Sequence, residues 1–522
     1  MSLIPAYFNL FDCFLGDDRL ADIGAQTAIE FRGSRITYRE LRVEVDYWTE
    51  HFVATGIGQS DRVGLLLYDS PEFIATLLAA VSIGAIAVPI NTFLSTDEVM
   101  FILSDSGARL VIAEEDLEWK INLDEGKVSE RCSALIIDTS RRPFLEAKEE
   151  VAARPAFPAT TLETPAILLY TSGSTGAPKG VLHRQKAVTC TIDTYAATVL
   201  RLSPSDRLYS ASRMFFAYGL GNSLSFPLAA GATVIIDTAR PTPDYLSRLF
   251  EEQSPTVFFG VPAIYRGLLD SHAAGSRIDT SSIRLCVSAG EALPGKVFED
   301  WSQAFGLEII DGIGSTEMLH IFISNQPGAA RAGSSGRVVE GYSTKLIDDG
   351  GEEVGSDQLG NLWVRGDSAT AGYWNREELT RETIREGWVR TGDIYRRDDE
   401  GFFYHVGRTD DCFKVRGLWV SPIEVESALT AHHLVADAAV VAVTDGEGLA
   451  TAKAFVVIRG QGDSEGLEQE LRDFVGSRLP QHKVPSQIEF ITEMPRTSTG
   501  KVQRYKLRAE SRSKGSGESH DH

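Results

Sequence analysis

ILLYTSGSTGAPKGVLH, residues 167–183, carries an apolar run into a loop of small and hydroxyl residues with a single lysine. The stretch AILLY has the length and composition of a buried strand. Gly173, Gly176 and Gly180 let backbone N–H groups come close to an anion. Thr171, Ser172, Ser174 and Thr175 supply hydroxyl donors, and Lys179 supplies a positive charge for phosphate oxygens. A flexible linker would need neither the strand before the loop nor the isolated Pro-Lys-Gly. A Walker loop is excluded, because that motif requires Gly-Lys-Ser/Thr after four variable residues, and here Lys179 follows Pro178 and precedes Gly180.

On both sides of this loop, short β-rich runs alternate with helical patterns. DRVGLLLY (61–68), AIAVPIN (85–91), ARLVIAE (108–114), ATVIID (232–237), PTVFFG (255–260) and IRLCVSAG (283–290) read as buried strands. SPEFIATLLAAVSIG (70–84) reads as a helix with Ser70 as N-cap and Gly84 as its stop. Strands alternating with helices predict an α/β fold of mostly parallel sheets covered on both faces, with ligands beyond the carboxyl ends of the strands. The apolar run from Phe73 to Ile90 has a length that suggests a membrane span, but Thr76, Ser82, Gly84 and Pro89 interrupt it, and a buried helix followed by a buried strand accounts for it better. After about residue 340, TKLIDD, GNLWVRG and GFFYHVG predict a small β-rich unit. Beyond GRTDD (407–411), amphipathic helices in SPIEVESALTAH and LEQELRDFVGSRL surround the strands AAVVAV and KAFVVI, a compact α+β unit. The expected division is residues 1–409, residues 410–509, and a polar, disordered tail at 510–522. His432 and His433 read as solvated loop residues.

A chain of 522 residues exceeds what one ordinary core supports. With 51 Lys and Arg against 73 Asp and Glu, the net charge is −22. Such a chain repels nucleic acid and anionic membranes, so any nucleotide site must bring its own local positive groups. The five cysteines are scattered without a C-x-x-C pair, which argues against a disulfide framework or zinc site and fits a reducing compartment. The amino terminus lacks the basic region of a signal peptide, and a cytoplasmic location is expected.

Further motifs follow in a fixed order: FFAYGLGNS (215–223), SAGEALP (288–294), DGIGSTEMLHIF (311–322), TGD (391–393), GRTDD (407–411), KVRGLWVSPIEVE (414–426) and RTSTGKVQR (496–504). Together with the lysine loop they resemble the adenylate-forming superfamily of acyl- and aryl-CoA synthetases, peptide-synthetase adenylation domains and luciferases, over almost the entire chain. The resemblance implies residue roles. Gly290 and Glu291 lie along adenine, and Asp311 accepts from its amino group. Ile313 stands where many members stack an aromatic ring on the base. Thr316 contacts the α-phosphate, and Glu317 binds Mg²⁺. Asp393 and Arg408 hold the ribose, and Asp410 is the hinge between the domains. Lys414 and Gly417 belong to the loop that enters the thiol channel. Lys501 bridges the substrate carboxylate and the α-phosphate, and with Lys179, Thr316 and Glu317 forms the catalytic set.

The acid pocket is most similar to that of benzoate-CoA ligases, with Ala217, Tyr218, Gly314, His320 and Ile321 enclosing a flat, largely apolar slot for an aryl ring. FFAYGLG lacks the aspartate with which amino-acid activators bind an ammonium. The resemblance therefore implies ATP- and Mg²⁺-dependent activation of benzoate or a close relative to an acyl-adenylate, then transfer to coenzyme A. Two alternatives stay open: loading of a carrier-protein phosphopantetheine, and a ligase for non-aryl acids. The expected partners are the aromatic acid, ATP and coenzyme A, with no nucleic acid or membrane and with a homodimer left open.

Overall fold

The computed structural model describes residues 7–123, 132–139, 159–171, 178–416, 418–444, 449–459, 466–496 and 502–515. Ser172, Gly173, Ser174, Thr175, Gly176, Gly417 and Lys501 lie outside these residues.

Two mostly parallel sheets organise the larger part of the chain. The seven-stranded sheet runs in the order Gly372–Tyr373, Lys179–Arg184, Pro165–Thr171, Ile86–Pro89, Arg62–Leu66, Leu110–Glu114 and Ser133–Ile137. Its last five strands are parallel, and the first two are antiparallel additions at one edge. The nine-stranded sheet has six parallel strands at its centre, Thr27–Phe31, Thr233–Ile236, Arg207–Ser210, Val257–Gly260, Leu285–Ser288 and Ile309–Gly314, with antiparallel strands at both ends. The helix Pro71–Ser82 is buried on every side. Ser70 caps it by accepting from the Phe73 N–H at 3.2 Å, Pro71 occupies its first turn, and Gly84 follows with φ +74°. Its apolar residues pack with side chains of both sheets in one continuous core, so the apolar run of residues 73–90 is a core helix and a core strand. Among the described residues, no helix is long and apolar enough to cross a membrane.

A five-stranded antiparallel sheet follows, with Trp388–Arg397 at its centre between Leu359–Arg365 and Phe403–Arg408. The last part of the chain builds a three-stranded sheet from Val435–Thr444, Ala450–Ile458 and Gln487–Phe490, with helices Pro422–Thr430 and Leu467–Gly476 closing a core of its own. Two expectations are corrected there. The helix Arg504–Gly515 continues past residue 510 into the stretch read as a tail, because Leu507 anchors it against Ala439, Val441 and Phe455. His432 is only 5 % exposed, packs edge-on against Phe474 and lies 3.1 Å from the Glu470 carboxylate, so helix packing has taken it out of solvent.

Candidate active site

In the nine-stranded sheet, Ile309–Gly314, Leu285–Ser288, Val257–Gly260 and Arg207–Ser210 are consecutive parallel neighbours. Their carboxyl ends lead into GSTE, SAGEALP and FFAYGLG, so three motifs far apart in sequence share one edge of one sheet. The lysine loop belongs to the other sheet. It joins Pro165–Thr171 to the antiparallel strand Lys179–Arg184, with Thr171 and Lys179 as register partners.

Three contacts tie the two sheets together at Thr316 and Glu317. The buried His183 places Nε2 2.8 Å from the Thr316 carbonyl oxygen. Burial pushes the imidazole down to about 4, so it is neutral, and facing an oxygen that can only accept, Nε2 carries the hydrogen. The Thr370 N–H donates to the Glu317 carbonyl at 2.8 Å. The Tyr373 hydroxyl donates to Glu317 Oε1 at 2.7 Å, and Lys179 Nζ lies 5.4 Å over the Tyr373 ring. Burial, with the Glu317 charge beside it, raises the Tyr373 phenol far enough to keep it a donor. Thr316–Met318 forms a single tight turn, capped by Ser315 Oγ accepting from the Met318 N–H at 3.2 Å.

On the base side, Asp311 is 4 % exposed, and burial raises its carboxyl well above the ordinary carboxylate range. Ser288, its register partner on the next strand, and the backbone at Leu293 and Gly312 face the carboxyl and oppose that rise. Ile313 is half-buried, and Gly290 is exposed. Glu291 lies 3.9 Å from Arg496, a residue of the C-terminal unit. On the ribose side, Asp393 and Arg408 are register partners with Arg408 Nη1 3.3 Å from the carboxylate, and His405 Nε2 is 3.4 Å from the same oxygen. Burial opposes the Arg408 charge, but Asp393, with Asp410 and Glu317 adding to it, raises the guanidinium above its ordinary value. Asp410 lies in the turn directly after this strand. Lys414 has a different setting: it pairs at 3.6 Å with the exposed Asp349, and its Nζ lies 4.5 Å over Trp419.

The acid-pocket residues also converge. The Tyr218 and His320 rings lie 5.4 Å apart, and His320 further contacts Tyr195 at 5.2 Å and Phe226 at 4.5 Å. Asn222, in a stretch of π-helix at Gly221–Ser225, puts Oδ1 3.1 Å from His320 Nε2. His320 is 3 % exposed, and burial pushes it down to about 3, so it works as a neutral ring. Two glycines are required by close approach. A Cβ on Gly221 would sit 2.5 Å from His320 Cδ2, and one on Gly314 would sit 2.6 Å from the His320 carbonyl oxygen. Ala217 opens the short helix Ala217–Leu220. Ile321 is fully buried on the strand paired with Gly314 and contributes core packing. His320 also lines a small apolar cavity of about 20 Å³ with Leu10, Phe14, Leu224 and Leu319.

Asp69, beyond the end of strand Arg62–Leu66, anchors the approach to this pocket: its Oδ1 accepts from the Met214 N–H at 3.0 Å, immediately before Phe215. Arg213 lies 3.7 Å from Asp69 and donates to the Asp237 carbonyl at 2.6 Å. Burial pushes the Asp69 carboxyl up to about 6, against the opposing Arg213 charge and with the Asp237 charge adding to the rise. A raised carboxyl value means that the folded chain holds its proton more tightly than the unfolded one. The associated stability is present below the unfolded value, near 4, and is lost as pH rises through about 6. Asp69→Asn is expected to remove this component, on the order of 3 kcal/mol. Urea midpoints of parent and variant at intervals from pH 4 to 7 check it: the parent falls relative to the variant, and parallel curves contradict the assignment.

Sequence reasoning missed His183, Asn222, Tyr373 and His405. His183 directly follows the lysine loop and was within reach, but a lone histidine on an apolar strand carries no functional signal. Tyr373 meets Glu317 across 56 residues and Asn222 meets His320 across 98, separations that no local pattern encodes.

Residues 18–374 match the AMP-binding enzyme family, and residues 424–501 match the AMP-binding enzyme C-terminal domain. The chain is 39 % identical to the benzoate–CoA ligase of Thauera aromatica over 514 residues, 97 % of either chain. The crystal structure of the anthranilate CoA ligase AuaEII in complex with anthranoyl-AMP superimposes with a TM-score of 0.90 at 36 % identity, covering 98 % of this chain and 99 % of that one. A benzoate CoA ligase from Burkholderia xenovorans LB400 gives 0.87 at 38 % identity, over 96 % of this chain and all of the other. With both family regions present in order over most of its length, the chain belongs to the AMP-binding, adenylate-forming enzyme family.

Proposed function

We propose that this protein is an AMP-forming aryl-CoA ligase: it activates benzoate or a small ring-substituted relative with ATP and passes the aroyl group to coenzyme A. The observation that carries this reading is the packing of the Tyr218 ring and the neutral His320 ring together, at the same sheet edge as the SAGEALP and GSTE motifs. The relatives support it, since two of those most similar in sequence or structure are benzoate ligases and a third holds an aroyl-adenylate.

In the first step a carboxylate oxygen attacks the α-phosphorus, the bond from that phosphorus to the pyrophosphate oxygen breaks, and pyrophosphate leaves. Both reactants are anions, so the protein's contribution is charge neutralisation and alignment. Lys179 neutralises phosphate charge. Asp311, a buried carboxyl on the strand that leads into GSTE, suits the donor that an adenine amino group provides. The Asp393–Arg408 pair suits ribose hydroxyls. Lys501, from its place in RTSTGKVQR, bridges the two anions. In the second step the thiol, having lost its proton to solvent, attacks as thiolate at the carbonyl carbon of the mixed anhydride, the bond from that carbon to the phosphate oxygen breaks, and AMP leaves.

The residues also fit a magnesium ion carried by the nucleotide. Among the described residues no three His, Cys, Asp or Glu side chains come together as a metal cage, and Glu317 supplies a single hard oxygen donor beside the phosphate side. When bound, the ion neutralises phosphate charge.

A panel of aryl, heteroaryl and straight-chain acids tests the pocket. Benzoate or a small relative is expected to give the highest kcat/KM, ahead of straight-chain acids by on the order of 2–3 kcal/mol of transition-state binding. Straight-chain acids ahead of every aryl acid would overturn the aryl reading.

A further inference from the structure

We infer that Tyr373 is a positioning residue that fixes the Glu317 carboxylate for the metal–nucleotide complex, and that it couples this carboxylate to Lys179 of the phosphate loop. The inference rests on the reading of Glu317 as the metal-binding residue.

Glu317 lies in a tight turn next to the nine-stranded sheet, and a half-buried carboxylate on such a turn has several accessible rotamers. Tyr373 reaches it from the other sheet. It sits on the two-residue edge strand Gly372–Tyr373, paired with Lys179–Arg184 so that Tyr373 opposes Val181. Its own N–H donates to Thr380 Oγ1 at 2.9 Å, and Thr370 Oγ1 donates to the Leu182 carbonyl at 2.7 Å. The phenol is therefore delivered from a fixed backbone.

Its hydroxyl donates to Oε1 of Glu317, which orients the carboxylate and leaves Oε2 without a hydrogen-bond partner among the described residues. A carboxylate that is oriented through one oxygen and offers the other matches the requirement of a hard cation that takes few protein ligands. The Thr370 N–H on the Glu317 carbonyl and His183 on the Thr316 carbonyl hold the same turn from behind. The Lys179 ammonium over the ring face draws electron density from the phenol, which strengthens it as a donor, and places the phosphate-loop cation one residue away from the metal ligand.

The test uses the full chain. Tyr373→Phe keeps the ring that packs here and removes the hydroxyl alone, and Glu317→Gln serves as the reference variant. Mn²⁺ binding to the ATP-loaded protein, without acid, is read by electron paramagnetic resonance. In parallel, the Mg²⁺ concentration for half-maximal acid-dependent pyrophosphate exchange is measured, together with KM for the acid and the melting temperature. Tyr373→Phe is expected to bind Mn²⁺ roughly tenfold more weakly and to need proportionally more Mg²⁺. KM for the acid and the melting temperature stay at the parent values. Parent-like Mn²⁺ binding in Tyr373→Phe, with weakened binding in Glu317→Gln, overturns the role of Tyr373 and leaves the metal reading standing. Parent-like binding in both variants overturns the metal reading, and this inference with it.

Discussion

Glu317→Gln lowers acid-dependent ATP–pyrophosphate exchange by about 10²- to 10³-fold, the usual cost of removing one preorganised electrostatic contact to a transition state. The substitution is nearly isosteric. The Glu317 backbone carbonyl keeps the Thr370 N–H, and the side-chain amide oxygen can still accept from Tyr373, so the turn Thr316–Met318 is expected to survive. What is lost is one negative charge beside the phosphates, with Arg408 and His183 as its charged and titratable neighbours. Raised Mg²⁺ therefore restores the rate only in part, because mass action returns the ion but not its alignment. Circular dichroism and the melting temperature verify that the fold is intact. Unchanged exchange at ordinary Mg²⁺ would transfer the metal role to another residue.

Lys501→Ala separates the two half-reactions. It is expected to depress adenylate formation by about a hundredfold or more while leaving conversion of a supplied aroyl-adenylate to thioester within about threefold of the parent. Lys501 lies outside the described residues, and the expectation rests on its place in RTSTGKVQR and on the chemistry of two anions that must meet. The C-terminal unit touches the larger part of the chain through half-exposed ion pairs, Arg459–Asp270 at 3.2 Å and Arg496–Glu291 at 3.9 Å. Such exposed pairs contribute little each, about 0–1 kcal/mol. Single-turnover assays of each half-reaction check the split. Equal loss in both half-reactions would remove the case for a lysine that serves adenylation alone.

The architecture was legible where the pattern is local. Ser70, Pro71 and Gly84 bracket the buried helix as a cap, a first-turn proline and a stop, and the flanking apolar runs became neighbouring parallel strands. The motifs were legible as short strings, and the sheet order explains why DGIGSTE, SAGEALP and FFAYGLG belong together: their strands lie within one run of four consecutive parallel strands although the segments span more than a hundred residues. The contacts that make the strings into a site were not legible. His183 and Tyr373 act through a carbonyl and a carboxylate on a different sheet, and Asn222, which faces His320, sits in a π-helical turn where the chain is underwound. Ile321 and His320 are both buried at this edge of the sheet, next to each other at the start of one strand. His432 and the last helix were misread, as Glu470 and Phe474 enclose the one and Leu507 anchors the other.

The central claim is that one chain converts an aryl acid, ATP and free coenzyme A to an aryl-CoA thioester, AMP and pyrophosphate. Purified protein incubated with benzoate, ATP, Mg²⁺ and coenzyme A, with the products separated and identified by mass, tests it most directly. The account predicts benzoyl-CoA and AMP in equal amounts, both dependent on the acid. Acid-dependent pyrophosphate exchange with no thioester formed from free coenzyme A, by benzoate or any aryl acid of the panel, would contradict it.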